Sequence, residues 1–342
     1  MSRGLSYRDA GVDLDAAERA KARLEDLVAS TRDEHTLSEL GSFGGLYQVP
    51  PGLESPVLVS STDGVGTKLK VAFAANRHDT VGQCLVNHCV NDILVQGARP
   101  LFFLDYLATG VLDENVVRDV VKGVAIACRQ NGCALLGGET AQMPDFYAEG
   151  EYDLAGFVVG VVERARLLDG SRIRAGDALV GLASSGLHTN GYSLARRIVF
   201  DELGLDADAE LPGTGRSVAD ELLVVHRSYL AALAAPLEAG IVHGLAHITG
   251  GGIPGNLPRV LPQGLGARIE RGSWDVPPVF GVLQRGGRVA TEEMDRAFNM
   301  GIGMIAVVNA GSTHALIEAA AGDGIEAWVI GSIGGGAGVA YT

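Results

Sequence analysis

Short apolar runs typical of β-strands alternate along this chain with longer stretches of helical periodicity. The clearest helix is predicted over Asp113–Gln130: Asp113 suits the N-cap, valines recur on one face, and Asn131-Gly132 ends it. The other elements predicted in this half are helix Ala16–Thr31 and strands Val57–Ser60, Leu101–Tyr106, Ala134–Leu136 and Phe157–Val162. Strands that alternate with helices predict a layered α/β (α+β) fold.

At 342 residues the chain is long for one core, so two domains are expected. The charged, glycine-broken stretch Arg164–Asp177 lies near the middle of the chain. We place the boundary there, which gives domains 1–168 and 169–342. One long helix is predicted over Val218–Ala239. The remaining predicted elements are strand Ala178–Ala183, helix Tyr192–Glu202, strand Leu245–Thr249, a short helix from Pro254, strand Gly303–Val308, helix Thr313–Ala320 and strand Ala327–Ile330.

Charge and hydropathy argue against several classes of protein. The formal net charge is −14, whereas a nucleic-acid surface needs clustered Lys and Arg. No apolar run reaches the roughly twenty residues of a membrane helix. The amino terminus lacks the apolar segment of a secretory signal. We therefore expect a cytoplasmic protein that binds neither nucleic acid nor membrane.

The four cysteines form two C-x4-C pairs, Cys84 with Cys89 and Cys128 with Cys133. One interpretation is a zinc site with His88 as a spare ligand, but structural zinc sites usually use shorter spacing at turns. Three of the cysteines lie in apolar, helix-like stretches. Buried reduced thiols are therefore the better interpretation.

Asp63 stands where the first apolar strand opens into a glycine-rich turn. In the segment Asp-Gly-Val-Gly-Thr-Lys, Gly64 and Gly66 let the backbone approach a bulky anion. Lys68 is close enough in sequence to touch a phosphate. As a single residue, Asp63 is equally well explained as a cap or turn residue.

A second aspartate, Asp92, lies in a predicted helix, Gln83–Gln96, that stops at Gly97. Taken alone it too is explained as a cap residue. Two carboxylates near one glycine-rich turn are a stronger signal, because Mg²⁺ prefers oxygen ligands and shares them with phosphate. Together, Asp63 and Asp92 predict a magnesium–nucleotide site.

Two further loops are suited to an anion. The loop Ser184–Gly191 precedes a predicted helix, whose first amides are free to hold a phosphate. His188 in this loop is a candidate to transfer a proton or bind an oxyanion. The turn Thr249–Gly252 is the second, with a flexible linker as its alternative. Four histidines lack such a setting and are predicted to be structural: His78, His226, His243 and His247.

Several motifs together resemble the aminoimidazole ribonucleotide synthetase family, also called phosphoribosylformylglycinamidine cyclo-ligases. The pattern D-x4-G-A-x-P runs from Asp92 to Pro100, after D-G-V-G-T-K at Asp63–Lys68. The remaining matches follow in the family's order and span nearly the whole chain: Tyr7–Asp13, Leu104–Gly110, Gly137–Pro144, Ser184–Ser193, Ile248–Gly252 and Phe298–Met304.

The resemblance implies an enzyme of purine synthesis that uses ATP and Mg²⁺ to close the imidazole ring of a small ribonucleotide. It implies Asp63 and Asp92 as metal ligands. Catalytic roles fall to Lys68 on the phosphate, Glu139 in positioning the metal or substrate, and His188 as base. The implied ATP- and substrate-binding residues are Gly64, Gly66, Thr67, Ser185, Gly186, Asn190, Thr249, Gly250 and Gly251.

The resemblance also implies a homodimer. In it, the mixed sheets of the two amino-terminal domains join into a barrel that spans the interface, and the carboxy-terminal domain is layered α/β. Residues Tyr7–Asp13 would close over the site as a lid that excludes water.

Other functions fit parts of the pattern. The chain has no G-x4-G-K-[ST] P-loop and no dinucleotide fingerprint after its first strand. Thiamine-phosphate kinase, of the same superfamily, fits the aspartates alone. A non-catalytic nucleotide-binding regulator is the alternative from another class, but it would not need Asp63, Lys68, Asp92 and Glu139.

Overall fold

The structure is a computed structural model that describes residues 4–342. Its strands are β1 (Pro56–Gly64), β2 (Arg99–Thr109), β3 (Ala134–Gln142), β4 (Tyr152–Glu163), β5 (Ala178–Ala183), β6 (Glu210–Leu211), β7 (Arg216–Ser217), β8 (Val242–His247), β9 (Leu265–Ile269), β10 (Ile302–Val308), β11 (Ala327–Gly335) and β12 (Val339–Tyr341). Its α-helices are α1 (Leu14–Ala22), α2 (Glu25–Ala29), α3 (Leu69–Ala75), α4 (Val81–Leu94), α5 (Glu114–Gln130), α6 (Tyr192–Arg196), α7 (Val218–Leu222), α8 (Leu230–Glu238), α9 (Gly252–Asn256), α10 (Pro278–Gly287), α11 (Thr291–Ala297) and α12 (Thr313–Gly322). The prediction of a layered, mixed α/β fold is confirmed.

The first sheet has the strand order β1-β4-β2-β3. β4 is antiparallel to both of its neighbours, whereas β2 and β3 are parallel. Helices α4 and α5 pack on one face and bury residues such as Val59 and Phe103. The other face leaves Leu58 61% and Phe157 43% exposed, so one side of this sheet is apolar and uncovered within the chain.

The second sheet has the order β12-β9-β11-β5-β10-β8 and is antiparallel except for the pair β12–β9. Helices α8 and α12 cover one face around Leu233 and Leu316. The segment from α9 to Trp274 covers the other face. This sheet therefore has a core on each side, which explains why all of β5 and β10 is buried and apolar.

The proposed boundary at Arg164–Asp177 separates the two sheets but not the two cores. Tyr192, Phe280 and Phe298, from the second half, belong to the same buried cluster as α4 and α5. The segments that carry α6, α7, α10 and α11 thus pack on the first domain. The division into 1–168 and 169–342 stays a prediction.

The predicted helix Val218–Ala239 is wrong. The structure has α7 and α8 with an irregular segment, residues 223–229, between them. Helical periodicity fails here because distant side chains capture the backbone carbonyls that a helix would use. The captured pairs are Lys68 with Val224, Ser185 with Val225, Asn87 with His226 and Asn91 with Arg227, at 2.6–2.8 Å.

Other predictions were confirmed or need correction. Asp113 caps α5 by accepting from the N–H groups of Asn115 and Val116, as predicted. The predicted helix Ala16–Thr31 is interrupted between α1 and α2. β3 continues to Gln142, so Glu139 lies inside a strand and not in a loop. All four cysteines are buried free thiols, as expected. The sequence patterns gave no prediction for β9, α10, α11 and β12.

Candidate functional site

The carboxylates of Asp63 and Asp92 lie together where β1 ends beside α4. Ser61, on the same face of β1 as Asp63, donates its hydroxyl to Asp92 Oδ2 at 3.0 Å. His88, one helical turn before Asp92, joins the pair. Its Nε2 is 2.7 Å from Asp63 Oδ2 and 3.9 Å from Asp92 Oδ2. The structure thus brings the two predicted metal ligands to one place.

Both carboxylates are held in the anionic form. Burial alone would raise the pKa of Asp63, but the hydrogen bond and charge of His88 outweigh it and lower that pKa. For Asp92, burial is likewise outweighed by His247, whose Nδ1 lies 2.8 Å from Oδ1, and the pKa is lowered. The side chains of Asp63 and Asp92 remain 41% and 26% exposed. Anionic, accessible carboxylates suit a hard divalent cation.

Two of the four histidines predicted to be structural, His226 and His247, join His88 in this cluster. His226 stacks on His188 with ring centroids 3.9 Å apart, and its Nε2 is 3.1 Å from Nε2 of His247. One signal pointed to His88, since it precedes Asp92 by four residues on a helix and must share its face. No such signal marks His226 or His247, because their partners are remote in sequence. The other two, His78 and His243, pair with Tyr152 and Asp177 instead.

His188 is buried within its loop. It is 2% exposed and has a left-handed backbone, with φ +62°. Its Nε2 accepts from the Ser185 N–H at 3.1 Å, and its Nδ1 has no partner among the described residues. Burial first, and then the positive charge of neighbours that include Lys68, lower the pKa of His188 well below its ordinary value. The ring is therefore neutral at pH 7.

Lys68 lies in the interior and not at the solvent edge of the glycine-rich turn. Its side chain has no exposed surface, and its ammonium donates to the carbonyls of His188 and Val224 at 2.9 and 2.6 Å. The Tyr192 ring lies 5.3 Å from the same nitrogen. In this arrangement Lys68 holds the His188 loop in place, and a contact with phosphate would require that loop to move.

The turn between β1 and α3 contains Gly64, Gly66 and Thr67. Gly66 has φ +65°, which favours glycine, and the Gly64 N–H donates to Asp63 Oδ1 at 2.7 Å. Thr67 Oγ1 lies 3.0 Å from Ser193 Oγ in α6. This turn therefore contacts the second half of the chain directly.

The two turns predicted to bind an anion are in contact. A Cβ on Gly250 would lie 3.3 Å from Asn190 Oδ1. Asn256 shapes the turn Thr249–Gly251 by donating to the carbonyls of Thr249 and Gly250, each at 3.2 Å. Carbonyls held inward in this way favour N–H groups that face outward, as an anion needs. Two other predicted binding residues already make hydrogen bonds within the protein. Ser185 Oγ donates to the Val225 carbonyl, and the Gly186 carbonyl accepts from Ser184 and Asn299.

Glu139 does not join the aspartates. It is exposed on β3, at the opposite edge of the first sheet from β1. Three strand spacings separate the two edges, about 14 Å. In the register of the sheet, Asp63 and Gly138 lie at the same level across the strands. Side chains at one level point to the same face, so the next residue, Glu139, points to the opposite face.

Glu139 instead lines a cavity of about 790 Å³ between the first sheet and the segment that carries α1 and α2. Tyr106, Leu136 and Lys21 share its wall, and the glycine-rich loop 41–45 lies over it. The segment Tyr7–Asp13, which was predicted to be a lid, contacts this edge of the sheet: the Asp13 N–H donates to Gln142 Oε1 at 3.0 Å.

Two family models match this chain. One is described as AIR synthase related protein, N-terminal domain, and covers residues 47–162; the other, its C-terminal domain, covers residues 174–342. A phosphoribosylformylglycinamidine cyclo-ligase of Sorangium cellulosum is 57% identical over 96% of this chain and 95% of the relative. This chain belongs to the phosphoribosylformylglycinamidine cyclo-ligase family. The cyclo-ligase of Myxococcus xanthus, 52% identical over 98% of both chains, agrees. The resemblance drawn from the motifs is confirmed.

Solved structures add the fold alone. A thiamine-monophosphate kinase from Stenotrophomonas maltophilia superposes with a TM-score of 0.69 at 21% identity, over 93% of this chain and 95% of that one. Escherichia coli HypE gives 0.67 at 16% identity, over 95% and 93%. Thermotoga maritima PurL, complexed with AMPPCP, gives 0.53 at 14% identity, over 94% of this chain and 46% of that one. This chain therefore shares its fold with proteins of other names.

No helix described between residues 4 and 342 combines the length and the apolar character that spanning a bilayer requires.

Proposed function

We propose that this chain catalyses the ATP-dependent closure of formylglycinamidine ribonucleotide to 5-aminoimidazole ribonucleotide in the cytoplasm, as a step of purine synthesis. ATP transfers its γ-phosphoryl group to the formyl amide oxygen and leaves as ADP. The amidine nitrogen attacks that carbon and loses a proton to a base, and the former amide oxygen leaves as phosphate. The observation that carries the proposal is the full-length similarity to cyclo-ligases, supported by the paired carboxylates Asp63 and Asp92.

Asp63 and Asp92 are our proposed ligands for Mg²⁺. Each of their oxygens already accepts one hydrogen bond, from His88 and Gly64 on Asp63 and from His247 and Ser61 on Asp92. A carboxylate oxygen has a second acceptor site, so the set fits a hard cation. When bound, the ion would neutralise polyphosphate charge. The protein's part is to hold both carboxylates anionic and aligned before ATP arrives.

His188 is our proposed base for ring closure. A neutral imidazole can accept the proton that the amidine nitrogen loses, and burial keeps this one neutral at pH 7. Its loop must open for the substrate to reach it. Lys68, which holds that loop through the His188 carbonyl, would then be released to offset charge on the phosphate.

The 790 Å³ cavity is our proposed seat for the nucleotide or ribonucleotide base, because its size falls within the range of small-molecule sites. Glu139 would position the ligand there and not bind the metal. The glycine-rich loop 41–45 and the docked segment Tyr7–Asp13 would cover the ligand.

We also propose that the chain is a homodimer whose first sheets face each other and complete a barrel. The uncovered apolar face that carries Leu58 and Phe157 supports this, since such faces on soluble proteins usually mark contacts. Leu58→Asp should shift the sedimenting species from dimer to monomer. Val329→Asp, which changes an exposed valine on β11 of the other sheet, is the matched control. A monomeric wild type would refute the dimer.

The activity is tested by phosphate release from ATP with the purified chain. Formylglycinamidine ribonucleotide should stimulate release and yield an aminoimidazole product, while thiamine phosphate should not. Formation of ADP and thiamine diphosphate from ATP and thiamine phosphate, without release of free phosphate, would favour the kinase alternative, because a kinase transfers the phosphoryl group to its substrate. Nucleotide binding without turnover on either substrate would favour a regulator.

A further inference from the structure

Asp105 is a buried carboxyl that the proposed mechanism does not use. It lies on β2, is 8% exposed and lines the 790 Å³ cavity. Its side chain makes no hydrogen bond to another described residue, and burial raises its pKa to about 7. A buried carboxyl without a partner weakens the fold at neutral pH. Groups of this kind are concentrated at sites that bind or transform a ligand.

A glycine on the neighbouring strand gives this carboxyl its place at the edge of the sheet. Asp105 lies opposite Gly138 of β3, and a Cβ on Gly138 would collide with the Asp105 carboxyl. The carboxyl therefore lies over the backbone of β3. Gly137 comes directly before Gly138, so two consecutive residues of the cavity wall have no side chain. A ligand can approach the backbone closely at such a position.

The rest of this wall suits a flat aromatic ring. Its helical side is apolar and includes Leu24, Val28 and Val121. On the sheet side, β3 is the edge strand, so the backbone groups on its outer edge have no strand partner. A heterocyclic base can lie between the apolar side chains and the glycine backbone, with a polar group of its rim at Asp105.

We propose that Asp105 determines the base specificity of the cavity by accepting a hydrogen bond from the 6-amino group of the adenine of ATP. This inference rests on the proposed function, which seats the nucleotide in the cavity, and it names the group that the protein recognises there. An amino group can donate to Asp105 in either protonation state, because a carboxylate oxygen and the C=O of a carboxylic acid both accept.

The position of Asp105 favours adenine over the other N–H donor of the reaction, the amidine of the ribonucleotide. That amidine must react beside the γ-phosphate, at Asp63 and Asp92. Asp63 and Asp105 each lie opposite Gly156 of β4, so two strand spacings, about 10 Å, separate them. A group that reacts at Asp63 is therefore out of reach of Asp105, whereas adenine is at the opposite end of ATP from the γ-phosphate.

The test compares ATP with purine riboside triphosphate, which is ATP without its amino group. Calorimetry measures the binding of each to the full-length chain with Mg²⁺ and without the ribonucleotide. Wild type should bind ATP about tenfold more tightly, which is the effect of one buried hydrogen bond. Asp105→Leu should bind ATP more weakly and the two nucleotides equally. Asp153→Leu, at an exposed position of β4, is the matched control and should keep the tenfold preference.

Asp105→Asn separates recognition of the base from a structural role. The amide oxygen of asparagine can accept from the amino group while its NH₂ group donates to a neighbouring ring nitrogen, which is how asparagine recognises adenine in nucleic acids. This variant should therefore keep the preference for ATP that Asp105→Leu loses. If Asp105 were only structural, neither substitution would change the ratio of the two affinities.

Two results would overturn the inference. One is equal binding of the two nucleotides by wild type, which decides the question even if Asp105→Leu fails to fold. The other is a folded Asp105→Leu protein that keeps the tenfold preference. The binding measurement does not depend on ring closure, so the two proposals can fail separately. A preference for ATP that Asp105→Leu abolishes, in a chain that closes no ring, would refute the activity alone. Ring closure without the preference would refute the role of Asp105 alone.

Discussion

Carboxyl groups are hydrogen-bonded in one region of the molecule and unpaired in another. The first region is the junction between the two sheets, where Asp63 and Asp92 lie, and the second is the cavity at the β3 edge of the first sheet. At the junction, Asp63 and Asp92 accept hydrogen bonds at every carboxylate oxygen, and both pKa values are lowered. In the cavity wall, Asp105 is 8% exposed and has no side-chain hydrogen bond to another described residue. Burial raises its pKa to about 7. The carboxylates at the junction are thus paired, whereas the Asp105 carboxyl in the cavity wall has no partner among the described residues.

The largest expected effect of a single change lies at the junction, in His188→Ala. If His188 is the base, kcat should fall by about two to four orders of magnitude while substrate affinity stays near normal. A raised ribonucleotide KM with unchanged kcat would show instead that His188 anchors phosphate. A loss of stability of about 1–3 kcal/mol without either kinetic change would make it structural.

Removing one charge from the carboxylate pair should come next. Asp63→Asn and Asp92→Asn should each fold normally and lose about a hundredfold or more in rate, because one hard ligand of the Mg–ATP site is gone. Asp208→Asn, at an exposed loop position, is the control. Wild-type turnover by either variant would show that this aspartate does not belong to the site. It would also weaken the contrast between the paired carboxylates at the junction and the unpaired one in the cavity.

The buried ammonium of Lys68, at the junction, should also contribute to stability. Lys68→Met leaves the carbonyls of His188 and Val224 without their donor. We therefore expect the free energy of unfolding to fall by about 2–3 kcal/mol. Lys70→Met, which removes an exposed lysine paired with Glu151, should cost less than about 1 kcal/mol. Denaturant melts of both variants measure the difference. Equal losses of unfolding free energy in the two variants would show that the buried hydrogen bonds of Lys68 add nothing to stability.

The smallest effect is expected in the cavity, from Asp105→Asn, and it should depend on pH. The folded pKa of Asp105, about 7, lies above the ordinary 3.8. The native state therefore favours the protonated acid. The contribution of protonated Asp105 to the free energy of unfolding is complete below pH 4 and is lost as pH rises through 7.

Asparagine cannot ionise, so Asp105→Asn should match wild type near pH 4 and exceed its stability by about 1–2 kcal/mol at pH 8, after allowance for solvent in the cavity. Thermal melts across this range test it. An advantage that is the same at every pH would mean that Asp105 is not desolvated.

Local patterns predicted what local interactions determine. β5 has the bounds expected from its apolar run, and Asp113 caps α5 as its residue type requires. Asp63 and Asp92 were found because Asp63 precedes Gly64 at the end of a strand and Asp92 lies near the end of a helix that stops before Gly97. His88 was within reach through its spacing from Asp92 alone.

Long-range contacts determined what the patterns missed. Segment 223–229 has the periodicity of a helix, but its carbonyls gain partners from Lys68, Asn87 and Asn91, which are more than a hundred residues away in sequence. His226 and His247 enter the cluster through that segment and through β8. Glu139 was wrongly expected near the two aspartates. β3 continues past its apolar run, and no sequence pattern shows that this strand lies at the opposite edge of the sheet.

The capture of segment 223–229 through its carbonyls has a consequence for mutational tolerance. Every residue type offers the same carbonyl, so Val224, Val225 and Arg227 can change identity without loss of the contacts at their backbone. The residues that hold the segment, such as Lys68 and Asn87, have no such freedom, because only their side chains supply the donors. In a scan of all substitutions, Val224 and Val225 should therefore accept far more replacements than Lys68 and Asn87, the distant residues that hold them.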